Sequence, residues 1–211
     1  MKLAKIKFGL ILFVFFLASC GNKEEKAIIG KSNNRYSELK EKYPNVLIQH
    51  FPKDFADKNG EFDILISYPS EYSATQLLVT KKESNKVIDS IRSISEQLTY
   101  ESHLLIVNRY LRRENLLNLP MQYDNYDVQE YFEGAIPIPN FYKHKNFDES
   151  SSTKLNSDCL IFLLKSNKGR CCDDIYHKGD WHMPDQWKDG FSSGYAINMK
   201  SNMVTYWSVV W

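Results

Sequence analysis

Two apolar segments face each other near the end of the chain. Gly194 to Met199 and Met203 to Val210 flank Lys200-Ser201-Asn202. Short apolar runs rich in β-branched and aromatic residues, joined by a polar turn, predict a β-hairpin. The second arm continues through Trp-Ser-Val-Val to Trp211. A segment so rich in bulky apolar side chains belongs inside a sheet rather than in a loose tail. The fold must therefore contain antiparallel strands.

Other segments extend that sheet. Phe62, Ile64, Ile66 and Tyr68 alternate with Asp63, Leu65 and Ser67 and share one face, as in a half-buried antiparallel strand ended by Pro69-Ser70. Gln76 to Lys81 reads as a second strand, and His103 to Tyr110 as a third, although its periodicity also permits a helix. Cys159 to Leu164 is apolar on both faces, which suits a central strand. Between Ser84 and Leu98 the period changes. Val87, Ile88, Ile91, Ile94 and Leu98 form one helical stripe, with Asp89, Arg92, Ser93 and Glu96 opposite. Arg35 to Tyr43 suits a short helix stopped by Pro44. Asn118 to Tyr142, with Pro120, Pro137 and Pro139, reads as a long irregular connection, and residues 148–156 as a serine-rich loop. Strands and helices are segregated rather than alternating. The expected class is α+β, a mainly antiparallel sheet with one or two helices packed on it, in a single globular domain over residues 35–211.

The start of the chain has a different character. Lys2, Lys5 and Lys7 precede an unbroken apolar run, Phe8 to Ala18. A membrane-spanning helix needs roughly 20 apolar residues. This run has eleven and fits the h-region of an export signal. It ends in Leu17-Ala18-Ser19-Cys20, which resembles the lipobox of bacterial lipoproteins. The resemblance implies that residues 1–19 are a signal peptide, that cleavage leaves Cys20 first, and that acyl chains on its thiol and amine anchor the protein. Each buried methylene contributes about 0.8 kcal/mol, so two or more chains hold firmly where one does not. Residues 20–34 would form a flexible tether. Within it Lys23-Glu24-Glu25 resembles the surface-export signal of bacteroidete-type lipoproteins, which implies the outer membrane and its outer face. A solvated charged tether is the plainer reading of the same three residues. The resemblance covers about 25 residues and carries no information about the folded domain.

Loss of the signal peptide leaves 24 basic residues against 26 acidic ones. A near-neutral, slightly acidic domain does not suit nucleic acid, which is bound mainly through basic patches on phosphates.

Gly190-Phe191-Ser192-Ser193-Gly194 has the letters of the nucleophile elbow of α/β-hydrolases. That motif needs a strand before the serine, a helix after it, and an acid and a histidine further along. Here a polar stretch precedes and a strand follows, and no Asp, Glu or His stands after Gly194. A glycine-rich lead-in to the hairpin is the expected reading. Gly30-Lys31-Ser32 ends like a P-loop, but the first glycine of that motif would fall at Glu25.

Cys171, Cys172, His177 and His182 make the densest group of metal-ligand types in the chain. Structural zinc sites usually space their cysteines by two to four residues, whereas Cys171 and Cys172 are adjacent. Thiolates are also prone to oxidation outside the cytoplasm. The expectation is a polar loop with no metal and no cofactor, these four residues being the candidates if one binds. A disulfide from Cys159 to Cys171 or Cys172 is the other use of these thiols, and an odd number remains once Cys20 is lipidated. If the strand from Cys159 turned at Asn167-Lys168 to pair with the following segment, Cys159 would fall opposite Tyr176 and miss both partners.

Tyr123, Tyr126, Tyr131 and Phe132 are interspersed with Asp124, Asp127, Glu130 and Glu133. Such a stretch suits sugar stacking or a protein contact, or simply a loop pinned to its core by tyrosines. With no catalytic signature, the expected function is that of a non-enzymatic lipoprotein of the cell envelope, tethered to the membrane through Cys20 and binding a protein or glycan. An anchored hydrolase of envelope or nutrient polymers is the alternative.

Overall fold

In the computed structural model, residues 33–34, 36–54, 62–67, 75–99, 104–107, 136–139, 141, 155–177 and 189–211 are described. The chain forms two compact units, residues 1–42 with 53–61 and residues 43–52 with 62–211. In the first, residues 36–41 are helical. The Lys40 ammonium lies 5.4 Å from the centre of the Tyr36 ring, one turn along. Burial, and then the Asp54 carboxylate, push the Tyr36 phenol above its ordinary range.

The second unit is built on a six-stranded antiparallel sheet. Its strands are β1 (Phe62–Ser67), β2 (Thr75–Lys82), β3 (Glu96–Leu98), β6 (Cys159–Lys168), β7 (Gly190–Asn198) and β8 (Met203–Val210), in the order β1-β2-β8-β7-β6-β3. A separate parallel pair joins β4 (Leu104–Val107) to β5 (Ile136–Pro139). Helix α1 spans Asn45–Ile48 and helix α2 Asn85–Ile94. The α+β class, mostly sheet, is as expected. Among the described residues no helix is long and apolar enough to cross a membrane.

The hairpin closes with Asn198 opposite Met203, and Asn202 takes a positive φ of 57° in the turn. The Asn198 side chain accepts hydrogen bonds from the amides of Lys200 and Ser201, which fixes that turn locally. Every residue of β7 and β8 is buried. Strands covered on both faces read as continuous apolar runs, which is the pattern of these two arms.

One face of the sheet carries Leu78, Ile161, Ala196, Trp207, Val209 and Trp211, and packs under Val107, Ile138, Phe141 and Leu155. The Ser192 hydroxyl ties the covering layer down by donating to the Pro137 carbonyl. On the other face the Ser208 hydroxyl donates to the Leu47 carbonyl of α1. Phe51 packs its ring 6.3 Å from that of Tyr206, and the His50 ring sits 5.6 Å from that of Tyr195. The two layers enclose the sheet, and each large apolar side chain so buried contributes about 1.5–3 kcal/mol.

Three expectations are corrected. The helix from Ser84 stops at Ile94: Ser95 is extended (φ −131°, ψ 152°), and Leu98 lies on β3. Ser84 caps its start by accepting from the Val87 amide at 3.4 Å. Ile94 is exposed, so only Ile88 and Ile91 of the stripe are buried on the helix. Part of the connection 118–142 forms β5, whose prolines are tolerated because, among the described residues, it pairs on one side only, with β4. Strand β6 has neighbours on both edges, but Leu160, Leu163 and Leu164 are only half-buried. Strand β6 pairs with β7, which places Cys159 opposite Asn198.

Candidate functional site

The connection between β6 and β7 begins at the end of the sheet where β6 and β8 finish and β2 and β7 start. Gly169, at φ +86°, donates its amide to the Asp189 carbonyl and turns the chain away from β6. Arg170 then reaches both sides of the loop. Its Nη1 lies 2.6 Å from Asp174 Oδ1, and its Nε lies 3.4 Å from Asp189 Oδ2. A single 3₁₀ turn, Asp174–Tyr176, folds the segment back, with the His177 amide donating to the Asp174 carbonyl. The Thr75 hydroxyl at the start of β2 donates to the Tyr176 carbonyl at 3.3 Å. The Tyr43 and Tyr176 rings lie 6.0 Å apart.

This fold-back delivers His177 to Cys171 and Cys172. The Cys171 and Cys172 sulfurs are 3.3 Å apart, and His177 Nε2 lies 3.9 Å from the first and 3.8 Å from the second. His177 is almost completely buried (7 % exposed), while both cysteines are half-buried. Its Nδ1 is 2.9 Å from the Trp211 main-chain oxygen, which can only accept. Nδ1 therefore carries the proton, and Nε2 turns its lone pair toward the thiols. Asp189 Oδ1, 3.9 Å from Nδ1, reinforces that tautomer. The Cys171 amide donates to Nε2 over 3.3 Å, a long bond. Burial pushes both thiols up, Cys172 to about 12, so both are protonated near neutrality. A nucleophilic cysteine needs the opposite shift. The chemistry this arrangement offers is soft-ligand coordination.

Of the four metal-ligand candidates the structure thus brings three together, and His182 lies outside the described residues. The spacing argument against adjacent cysteines fails because the chain bends at Cys172, so both sulfurs come to one side. Sequence reasoning missed Arg170, Asp189 and Trp211, which position the loop and the ring. They act through main-chain atoms and distant pairings that leave no local pattern.

The structure separates the cysteines that the possible disulfide would join. Cys159 opens β6 and the other two cysteines follow its far end, a separation of roughly 30 Å at the usual rise per residue. Bridged Cα atoms lie within about 7 Å. All three thiols are free. Burial, and then Asp158, raise the Cys159 thiol to about 11.

Ser192 is fully buried on β7 and bonded to Pro137, so the Gly-x-Ser-x-Gly letters mark a packed strand. Cys20, Lys23, Glu24 and Glu25, the segment 30–32 and the acidic-aromatic stretch 123–133 lie outside the described residues. The chain matches no family model, no curated protein and no solved structure.

Proposed function

We propose that this chain is a lipid-anchored protein of the bacterial cell envelope whose folded unit binds a protein or glycan rather than performing catalysis. The observation that carries the reading is Leu17-Ala18-Ser19-Cys20 at the end of a positively led, eleven-residue apolar run. Charge, length, small residues and cysteine agree there, and a run too short to span has a use as a cleaved signal. Lys23-Glu24-Glu25 supports placement in the outer membrane with the folded unit facing outward. Burial of Ser192, the serine of the hydrolase-like motif, counts against the hydrolase alternative through that serine.

Intact-mass analysis of the processed N-terminus tests the anchor. The expected product begins at Cys20 and carries acyl chains, and Cys20→Ala leaves an uncut precursor. A processed chain with an unmodified cysteine, or a precursor dissolved in the cytosol, refutes the anchor. Protease shaving of intact cells tests orientation. Wild-type protein is shaved, whereas Lys23→Ala/Glu24→Ala/Glu25→Ala is protected. Protection of the wild type refutes surface exposure.

A further inference from the structure

We propose that Cys171, Cys172 and His177 form a zinc(II) site, the metal being held by two thiolates and His177 Nε2, these three being the ligands that the described residues supply. Zinc binds Cys sulfur at about 2.3 Å and His nitrogen at about 2.0–2.1 Å. Tetrahedral angles then require a sulfur–sulfur separation of about 3.8 Å and sulfur–nitrogen separations of about 3.6 Å. The observed triangle has edges of 3.3, 3.9 and 3.8 Å. Each edge is within about 0.5 Å of that requirement, a shift well inside the reach of cysteine rotamers.

Two features mark a prepared site rather than a chance meeting of side chains. The ring is held by Nδ1 on the Trp211 oxygen, with Asp189 beside it. Ligating histidines commonly have such a carbonyl or carboxylate partner, which fixes the tautomer and raises the basicity of the other nitrogen. The loop is braced independently of any metal by Arg170–Asp174, Arg170–Asp189, Gly169–Asp189 and Thr75–Tyr176. On binding, each thiol gives its proton to solvent, and the metal takes over the Nε2 lone pair from the Cys171 amide. The described residues supply three ligand atoms, and a water or a further donor completes the tetrahedron.

The test is titration of the full-length chain, extracted in detergent and reduced under anaerobic conditions, first with cobalt(II) and then with zinc(II). One cobalt per chain is expected, with a thiolate-to-cobalt charge-transfer band that zinc abolishes. Cys171→Ser and Cys172→Ser each lower affinity at least about 100-fold, and His177→Gln at least about 10-fold. Near-ultraviolet circular dichroism monitors the fold. If His177→Gln unfolds, the two serine variants, at half-exposed positions, carry the test. Cys159→Ser binds like the wild type. Cys20→Ala also binds like the wild type, so this result stands or falls apart from the lipid anchor. Absence of the band in the wild type overturns the site, as does a band that survives undiminished in Cys171→Ser/Cys172→Ser.

Discussion

The indole of Trp207 occupies the space that a side chain on Gly194 would need. The two residues are directly opposite on β8 and β7. A Cβ on Gly194 would lie 2.7 Å from Trp207 Cζ2 and 2.0 Å from the Phe162 carbonyl oxygen. Gly190 makes the same allowance for Trp211, whose Cζ2 would be 2.5 Å from an added Cβ. The two glycines of the hydrolase-like motif are thus seats for two tryptophans, at the two-residue period of one strand face.

Gly194→Ala is expected to destabilise the fold by about 3 kcal/mol or more, because main chain blocks the added methyl and cannot swing aside. Gly190→Ala costs a comparable amount. Gly169→Ala separates space from backbone conformation. Nothing lies within 4 Å of its added Cβ, but φ is +86°, so only the strain of about 1–2 kcal/mol remains. Urea denaturation of the three variants checks the order.

Ser192→Ala strands the Pro137 carbonyl in the covering layer. A stability loss of about 1–3 kcal/mol is expected from that unpaired acceptor. Any ester-hydrolysing activity in a preparation should be unaffected by the substitution. Activity that disappears with Ser192 while the fold persists would contradict the packing role.

His50 makes stability depend on acid. Burial lowers its pKa from 6.5 to about 4, against the opposing effect of its bond to the Trp207 carbonyl. Below about 6.5 the unfolded chain takes up a proton that the folded chain refuses until about 4. Stability is therefore intact above that window, falls as the pH drops through it, and levels off beneath it. The total fall is on the order of 3 kcal/mol. His50→Gln retains a donor for the Trp207 carbonyl but does not titrate, so its denaturation midpoint should vary less between pH 6.5 and 4.

Cys159 should alkylate slowly in the native protein. Its thiol is raised from 9.0 to about 11, which lowers the thiolate fraction near pH 8 about 100-fold. Rates measured with iodoacetamide before and after denaturation check this. A non-reducing peptide map should contain no bridge from Cys159 to Cys171 or Cys172.

The sheet was legible because its signals are local. Alternation located β1, and the paired runs around Lys200-Ser201-Asn202 located the hairpin. What failed depended on partners distant in sequence. Ile91, Ile94 and Leu98 keep a helical spacing, yet the chain turns extended at Ser95, whose hydroxyl bonds back to the Ile91 carbonyl. Pro137 and Pro139 read as breakers, although a strand paired on one side accommodates them. The Cys171–Cys172–His177 group was visible as composition. Its geometry was not, since it depends on a 3₁₀ turn and on Trp211, 34 residues beyond the histidine.

Strand β8 is the last in sequence, yet it lies between β2 and β7. Until it arrives, the hairpin β1–β2 has no strand pairing with the group β7-β6-β3 among the described residues, and neither Trp207 nor Trp211 is present to fill its glycine seat. Joining the two parts of the sheet therefore waits on contacts between segments far apart in the chain, the kind that forms slowly.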